Sequence, residues 1–455
     1  MKYMKFILTP LLLLLLLLPA FPQILVEEVE GKSEPERNRN RGLSMLKGVK
    51  EVLEEYYYDK NFRGIDIDQT FKQGAEKIKK LERNSEIFRV IATLVLEFND
   101  SHTRFYPPNM SNRVEYGFAM QMIGDRCFVV NVKKGSDAEA KGLKIGDHIL
   151  KIGQYPVARD NLWMLNYYIY SLEPLPVLPI TIARDGGTEQ KLGVVASFKS
   201  LEDRRKEAEK NKAERKENPY KCSQISKDVV ACKLRTFSVE RKFIQKMMRE
   251  AAKGSKLILD LRGNRGGFVK MEEFLTGHFF DHEVKIASMV TRKKTKIRTA
   301  KPVTDNHFSG ELIVLIDSDS ASASEVFARV IQIENRGKIV GDVSAGAVMT
   351  SYGISLASRR GPPGFETLSI YAMNVTIGDV IMSDGQRLEN IGVVPDYRVG
   401  PSNAALARRN DPVLAFAANQ LGADISSDEA GKLEFLVKKA EDDVDEEGEE
   451  EKPQP

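Results

Sequence analysis

The chain has 455 residues and a mass of 51.1 kDa, which is too long for one ordinary hydrophobic core and predicts two or three domains. Hydrophobic residues make up 42% of the chain and charged residues 29%, proportions that exclude a largely disordered protein. The net charge of +3 argues against a dedicated nucleic-acid binder.

The N-terminus has the pattern of a secretory signal, which we assign to residues 1–20. Two lysines precede an apolar run from Phe6 to Leu18, and small residues and prolines follow around Ala20. The run is shorter than the about 20 residues that cross a bilayer comfortably, although an uncleaved membrane anchor is the alternative. The sequence therefore predicts an exported protein of the periplasm, the cell envelope or the medium.

Residues 21–40 are polar and read as a linker, and residues 41–110 carry helical periodicity. The helical part ends in "SEIFRVIATLVLEFND", and the following "SHTRFYPP" contains a proline pair that prevents further helix. From residue 114 the period changes to that of strands. "RCFVVNV", "HILKIGQ" and a hairpin closed by Asp-Gly-Gly predict a compact β-rich module over 114–198.

Residues 199–220 are almost wholly charged and predict a solvated linker, with a basic docking surface as the alternative. Residues 221–400 then alternate strand and helix, which is typical of an α/β core. A helical segment is expected over 401–438, and the acidic residues 439–455 predict a disordered tail. The predicted fold class is a multidomain α/β protein.

Only three cysteines occur, so the chain is not a disulfide scaffold. Cys222 and Cys232 either pair across a hairpin or remain buried thiols. The five histidines are scattered and no C-x-x-C occurs, so neither a metal nor another cofactor is predicted.

Two turns that follow buried strands could carry chemistry. In "ELIVLIDSDSASASEVFARV" a serine at the turn would point its hydroxyl out of the sheet, and the next backbone N–H would face a developing oxyanion. In "LILDLRGNRGG" glycines could lend N–H groups to an anion, and the P-loop pattern is missing. A serine-rich helix cap and a plain β-turn are the alternatives.

Together these segments resemble the C-terminal processing peptidases, the S41 serine peptidases that include the tricorn core proteases. "LILDLRGNRGG", "SASASE" and "LENIGVVPD" are similar to motifs of that family, and "GFAMQMIGDRCFVVNV" with the residues after it is similar to its PDZ domain. The resemblance implies a crotonase/ClpP-like α/β serine protease core and a PDZ module that binds peptides through Tyr116, Gly117, Phe118 and Ala119.

The resemblance also implies the catalytic residues. Ser322 takes the place of the nucleophile, but Ala347 stands where many members have the lysine of a serine–lysine dyad. "LEFNDSHTRF" resembles the D-x-H-T segment of the tricorn-like members, in which a histidine is the base. This makes His102 the base, Ser101 a bridging hydroxyl and Glu389 the orienting carboxylate.

Glu325 and Asp379 are the alternatives for the carboxylate. Imidazole suits the role of base, because its ordinary pKa of about 6.5 lies near neutrality. The oxyanion donors are expected to be the N–H of Ala323 with that of Gly266 or Gly267.

The function predicted is that of an exported serine endopeptidase that cleaves unfolded or C-terminal polypeptide segments through an acyl-enzyme. The expected partners are polypeptides, without nucleic acid, and with a membrane only through an uncleaved signal. One alternative is an inactive PDZ-containing peptide-binding scaffold, and another is an enzyme with a recruited lysine as base. The sequence sets neither the cleavage specificity nor the oligomeric state.

Overall fold

A computed structural model describes residues 33–108, 113–184, 187–200, 202–203, 206, 219–360, 367–433 and 435. The predicted signal, most of the charged linker and the predicted acidic tail lie outside these residues. Among the helices of the described part, none combines the length and the apolarity that a membrane crossing requires.

Three helices form the N-terminal region: α1 (Glu34–Tyr56), α2 (Ile67–Ile78) and α3 (Asn84–Leu96). The predicted linker over 21–40 is wrong at its end, because α1 begins at Glu34. Ser33 caps this helix by accepting a hydrogen bond from the Glu36 N–H, and Pro35 lies in its first turn. The apolar faces of the three helices share one core with Tyr371, Met373 and Val375 of a long strand described below.

The β-rich module has a hydrophobic core of its own. The strand β1 (Arg104–Tyr106) precedes the module and belongs to another sheet, described below. The strands of the module are β2 (Arg113–Glu115), β3 (Phe118–Ile123), β4 (Arg126–Val132), β5 (His148–Ile152), β6 (Tyr155–Pro156), β7 (Val177–Ala183), β8 (Glu189–Val195) and β9 (Ser197–Lys199). β3, β4, β5, β7 and β8 form an antiparallel sheet in this order. The short helices α4 (Asp137–Ala140) and α5 (Leu162–Tyr167) complete the module.

The α/β core is built on a six-stranded sheet. Its strands are β10 (Tyr220–Gln224), β11 (Val229–Leu234), β12 (Lys256–Asp260), β15 (Glu311–Ile316), β16 (Lys338–Gly341) and β19 (Tyr397–Arg398). From β11 to β19 neighbouring strands are parallel, and β10 is antiparallel to β11. Both faces of the sheet are buried, because alternate residues of β11 belong to two different core clusters.

Helices cover both faces of this sheet. They are α6 (Arg241–Ala251), α7 (Val269–Gly277), α8 (Ala323–Ile333), α9 (Asn403–Arg408), α10 (Pro412–Gln420) and α11 (Ser427–Lys432). A second sheet has the order β1, β18, β13, β14, with β17 also paired to β18. It comprises β13 (Val284–Thr291), β14 (Thr295–Ala300), β17 (Thr350–Arg360) and β18 (Thr367–Met382) besides β1. The predicted multidomain α/β fold is confirmed.

Cys222 and Cys232 are bonded to each other. They lie directly opposite on β10 and β11, so the pairing closes a hairpin of adjacent strands. Cys127 is a buried free thiol. Of the two alternatives left open by the sequence, the structure therefore contains the disulfide.

Candidate active site

Three loops of the core meet at one edge of the six-stranded sheet. They follow β12, β15 and β16, which are neighbouring parallel strands, and they span residues 261–268, 317–322 and 342–349. Because parallel strands end at the same edge, residues distant in sequence come together there. This edge contains Gly266, Gly267 and Ser322.

Ser322 lies on a sharp turn between β15 and α8. Its φ of 55° and ψ of −119° are unfavourable for a residue with a side chain, and such strain is typical of residues held for a function. The Ser322 N–H is held by two acceptors at 2.9 Å, the Ala347 carbonyl oxygen and Glu325 Oε2. The turn therefore presents the serine in one fixed orientation.

The glycine-rich turn packs directly against Ser322. A Cβ on Gly266 would lie 2.7 Å from the Ser322 Cβ and 3.0 Å from the Ala323 nitrogen, so only glycine fits. The Gly266 N–H already donates to Asn264 Oδ1 at 2.9 Å. Ala323 is the first residue of α8, where N–H groups have no partner within the helix. Of the two glycines named from the sequence, Gly266 therefore already has an acceptor for its N–H.

The sequence did not indicate the part played by Asn264. Its side chain is fully buried, donates to the Leu234 carbonyl and accepts from Gly266, while its own carbonyl accepts from the Ala321 N–H and the Ser324 hydroxyl. One asparagine thus ties the glycine turn to the serine turn. Its position inside "RGNRGG" is the only signal the sequence offers.

Ser101, His102 and Glu389 lie together although 288 positions separate Ser101 from Glu389. Ser101 Oγ is 2.6 Å from His102 Nδ1 and donates to Glu389 Oε2 at 3.0 Å. The Ser101 N–H donates to Glu389 Oε1 at 2.6 Å. These contacts form an imidazole–hydroxyl–carboxylate relay.

The segment from Ser344 to Val348 connects this relay to Ser322. The Ala347 carbonyl accepts from the Ser322 N–H, and the next N–H, that of Val348, donates to Glu389 Oε2 at 3.0 Å. The Asn390 N–H donates a hydrogen bond to the Gly346 carbonyl at 2.7 Å. Ser322 and Glu389 are therefore held by adjacent residues of one strap.

Glu325 and Asp379 make other contacts. Glu325 is fully buried and accepts from Ser322 N, Ser344 Oγ, Gly346 N and Ala347 N. Burial raises the pKa of Glu325 to about 7, while these four donors favour its carboxylate. Asp379 accepts from Arg387 Nε at 2.8 Å. Of the three acidic residues weighed, only Glu389 contacts Ser101 in the described part of the chain.

Asp100 fixes the backbone of the turn that carries His102. Its Oδ1 accepts from the N–H groups of His102 and Thr103 at 3.0 and 2.6 Å. Tyr57 and Thr376 donate to the same buried carboxylate. The turn that carries His102 is thus fixed by the N-terminal helices and by β18.

The predicted peptide-binding residues lie at the start of β3. The Tyr116 hydroxyl donates to the Leu175 carbonyl, and the Gly117 carbonyl accepts from the Lys133 N–H. Gly117 has a φ of 72°, and a Cβ there would lie 2.3 Å from the Ser136 Cβ. At the other end of β3, Ser318 Oγ donates to the Met122 carbonyl at 2.7 Å, which joins the module to the loop before Ser322.

Comparison with known proteins gives two domain assignments. Residues 228–399 match the model of peptidase family S41, and residues 115–193 match that of the PDZ domain. The chain carries a peptidase family S41 domain and a PDZ domain. Ser322, the glycine turn and Glu389 lie in the S41 domain, whereas Ser101 and His102 lie before the PDZ domain.

Two relatives are named as C-terminal processing enzymes. Carboxyl-terminal-processing peptidase 1, chloroplastic, of Arabidopsis thaliana is 22% identical over 343 residues, which cover 71% of this chain and 64% of the relative. Carboxy-terminal processing protease CtpB of Bacillus subtilis is 25% identical over 284 residues, covering 60% of this chain and 56% of CtpB. The chain thus spans somewhat less than two thirds of the length of either relative.

Among solved structures, mature CPAF complexed with lactacystin is similar in fold. Its TM-score is 0.62 at 15% identity, and the match covers 87% of this chain and 99% of that one. At this identity the likeness concerns the fold alone. The predicted PDZ module and S41-type core are confirmed.

Proposed function

We propose that the chain is a serine endopeptidase with Ser322 as nucleophile and His102 as general base. The observation that carries the proposal is the relay of His102, Ser101 and Glu389, linked to Ser322 through the strap of residues 344–348. A serine hydroxyl needs a nearby base to react near neutral pH, and His102 is the residue proposed to supply it.

The proposed reaction proceeds in two halves. Ser322 Oγ attacks the scissile carbonyl while His102 Nε2 takes its proton, and the same proton then goes to the leaving amine as the acyl-enzyme forms. In the second half, water attacks the acyl carbonyl while His102 Nε2 takes a proton from the water. That proton then goes to Ser322 Oγ as the bond between this oxygen and the acyl group breaks. His102 Nδ1–H donates to Ser101 Oγ, whose hydroxyl donates to Glu389, so the carboxylate stabilises the imidazolium through a hydroxyl.

The oxyanion of each tetrahedral intermediate is assigned to the N–H groups of Ala323 and Gly267. The geometry that supports this is the close packing of the glycine turn on Ser322 and the use of the Gly266 N–H by Asn264. Losing one such donor typically lowers the rate by about 10² to 10³.

The proposed substrates are unfolded polypeptides or C-terminal segments. The PDZ domain offers β3, which pairs only with β4 among the described strands, as an edge to which an extended chain can add. The residues Tyr116, Gly117, Phe118 and Ala119 at the start of β3 remain the proposed loop for a terminal carboxylate. The two relatives are named for processing at C-termini, in accord with this proposal.

We also propose that the protein is exported. Its support is the apolar run of Phe6–Leu18 after two lysines, together with the disulfide between Cys222 and Cys232. Disulfides persist mainly in oxidising compartments outside the cytoplasm.

Digestion of casein tests the proposed activity. We expect the wild type to degrade denatured casein and to react with a fluorophosphonate probe at Ser322, and we expect Ser322→Ala to do neither. Gel electrophoresis follows the casein, and mass spectrometry locates the probe. A wild type that neither cleaves casein nor reacts with the probe would instead indicate an inactive peptide-binding scaffold.

Gly267→Ala tests the oxyanion donors. Gly267 has a φ of 138°, and a Cβ there would lie 2.2 Å from the Ser238 nitrogen, so alanine must displace the turn. We expect kcat for a peptide substrate to fall by about 10² to 10³. Gly153→Ala is the matched control, because Gly153 also has a positive φ but a Cβ there meets nothing within 4 Å. Equal kcat values for the two variants would remove Gly267 from the site.

A further inference from the structure

The proteolytic mechanism leaves one large cavity unused. This interdomain cleft has a volume of about 520 Å³ and lies between β3 of the PDZ domain, the loops 262–265 and 317–319 of the S41 domain, and the helices α9 and α11. Its volume is within the range of ligand-binding pockets. The loops that line it lead directly into Gly266–Gly267 and Ser322.

The acidic side chains that line the cleft already have hydrogen-bond donors or basic side chains as partners. Asp317 accepts from Gly263 N and Gln121 Nε2, and Asp342 accepts from Arg159 and Arg398. Two further pairs link acidic and basic lining residues at 3.9 and 2.6 Å: Asp319 with Arg265, and Asp428 with Lys432.

Arg408 and Arg409 are the unneutralised charges of the lining. Both are exposed, and neither side chain has an acidic partner in the described part of the chain. Two adjacent guanidinium groups at the mouth of a cleft attract carboxylates, which they can bind through two parallel hydrogen bonds each. The occupant that these groups favour is therefore an acidic peptide.

The chain itself contains such a peptide. Nine of the eleven residues from Glu441 to Glu451 are acidic. Phe435 precedes this segment in the chain and is fully buried against α10 and α11, so the chain is held there. Lys432, three positions earlier in α11, lines the cleft. Five residues separate Phe435 from Glu441, enough to span about 20 Å when extended.

We propose that the acidic segment 441–451 of this chain docks in the interdomain cleft through Arg408 and Arg409. Tethering so close to the site gives the segment a local concentration in the millimolar range, which compensates for the modest strength of exposed ion pairs. A docked segment lies beside β3 and beside the loops that carry Ser322 and the glycine turn. It therefore competes with polypeptides that approach β3 from the cleft, whether or not the chain is catalytically active.

Photo-cross-linking in the full-length chain tests this proposal. With p-benzoyl-phenylalanine in place of Gly448, irradiation of dilute protein should join the segment to peptides of 401–409 or 428–432 within one chain, as located by mass spectrometry. The yield should fall several-fold when the salt concentration rises from roughly 0.02 M to 0.5 M, because screening weakens exposed charge pairs.

Charge reversal provides the decisive comparison. Arg408→Glu combined with Arg409→Glu should lower the yield at least about fivefold. Lys293→Glu combined with Lys294→Glu, on the exposed turn between β13 and β14, is the matched control and should leave it unchanged. Thermal melting confirms that both variants fold. Equal yields in the two variants, cross-links to the 293–296 turn, covalent dimers or no cross-link at all would each overturn the proposal.

Discussion

Replacing His102 with alanine is expected to lower kcat/KM for peptide hydrolysis by about 10⁴-fold or more, while the protein remains folded. Serine–histidine enzymes lose catalysis to this extent because the nucleophile keeps its proton and the leaving amine receives none. Fluorophosphonate labelling of Ser322 should be lost in parallel. Stopped assays with a fluorogenic peptide measure the kinetic effect, and circular dichroism verifies the fold.

His282→Ala is the control for His102→Ala. His282 is exposed and pairs with Asp281, so its loss should leave kcat/KM within about twofold, as for most exposed positions. Wild-type turnover in His102→Ala would exclude the histidine as base and favour a recruited lysine. Lys233 is the buried lysine among the described residues, and its Nζ donates to the Arg262 carbonyl at 2.8 Å and lies 3.4 Å from Asp260 Oδ1.

Replacing Glu389 with glutamine is expected to lower kcat by about 10² to 10⁴, by analogy with other triads in which the orienting carboxylate becomes an amide. Both carboxylate oxygens of Glu389 accept from a backbone N–H, one from Ser101 and the other from Val348. A glutamine side chain must therefore turn its NH₂ group toward one of these donors. The relay loses its charge, and either the Ser101 N–H or the Val348 N–H loses its acceptor.

Asp379→Asn is the matched change for Glu389→Gln. Asp379 was the other carboxylate considered beyond the nucleophile turn, and it is held by Arg387. We expect its kcat to stay within about threefold of the wild type, because it makes no contact with Ser101. Comparable losses in the two variants would contradict the assignment of Glu389 as the orienting residue.

The elements that sequence analysis located well are those with clear periodicity. The strand "RCFVVNV" has the observed bounds of β4, Arg126–Val132. The strands on either side of the predicted Asp-Gly-Gly turn, β7 and β8, pair antiparallel, while residues 185–186 lie outside the described part of the chain. The start of α1 was missed because Pro35 is the only residue of Glu34–Asn40 with an apolar side chain, so no amphipathic period was visible. The cap and the proline in "SEPE" were the available signal for that start.

The contacts within the site show where reasoning from a single sequence ends. The family resemblance named Ser101, His102 and Glu389. The chemistry of the residues alone gave no reason to choose Glu389 over Glu325 as the orienting carboxylate. The two differ in which backbone N–H groups surround them, and the segment that decides this, residues 344–348, has no chemical motif of its own. Such contacts depend on the packing of loops hundreds of positions apart.

The placement of His102 outside the S41 domain has a consequence for how the protein is held together. The imidazole belongs to a turn followed by β1, a three-residue strand whose only sheet partner in the described part of the chain is β18. In the proposed mechanism the nucleophile and its base therefore come from different parts of the chain, which are joined by the pairing of β1 with β18 and by the core that the N-terminal helices share with β18. If the proposed mechanism holds, a change that separates β1 from β18 displaces the base and lowers activity while Ser322 stays in place.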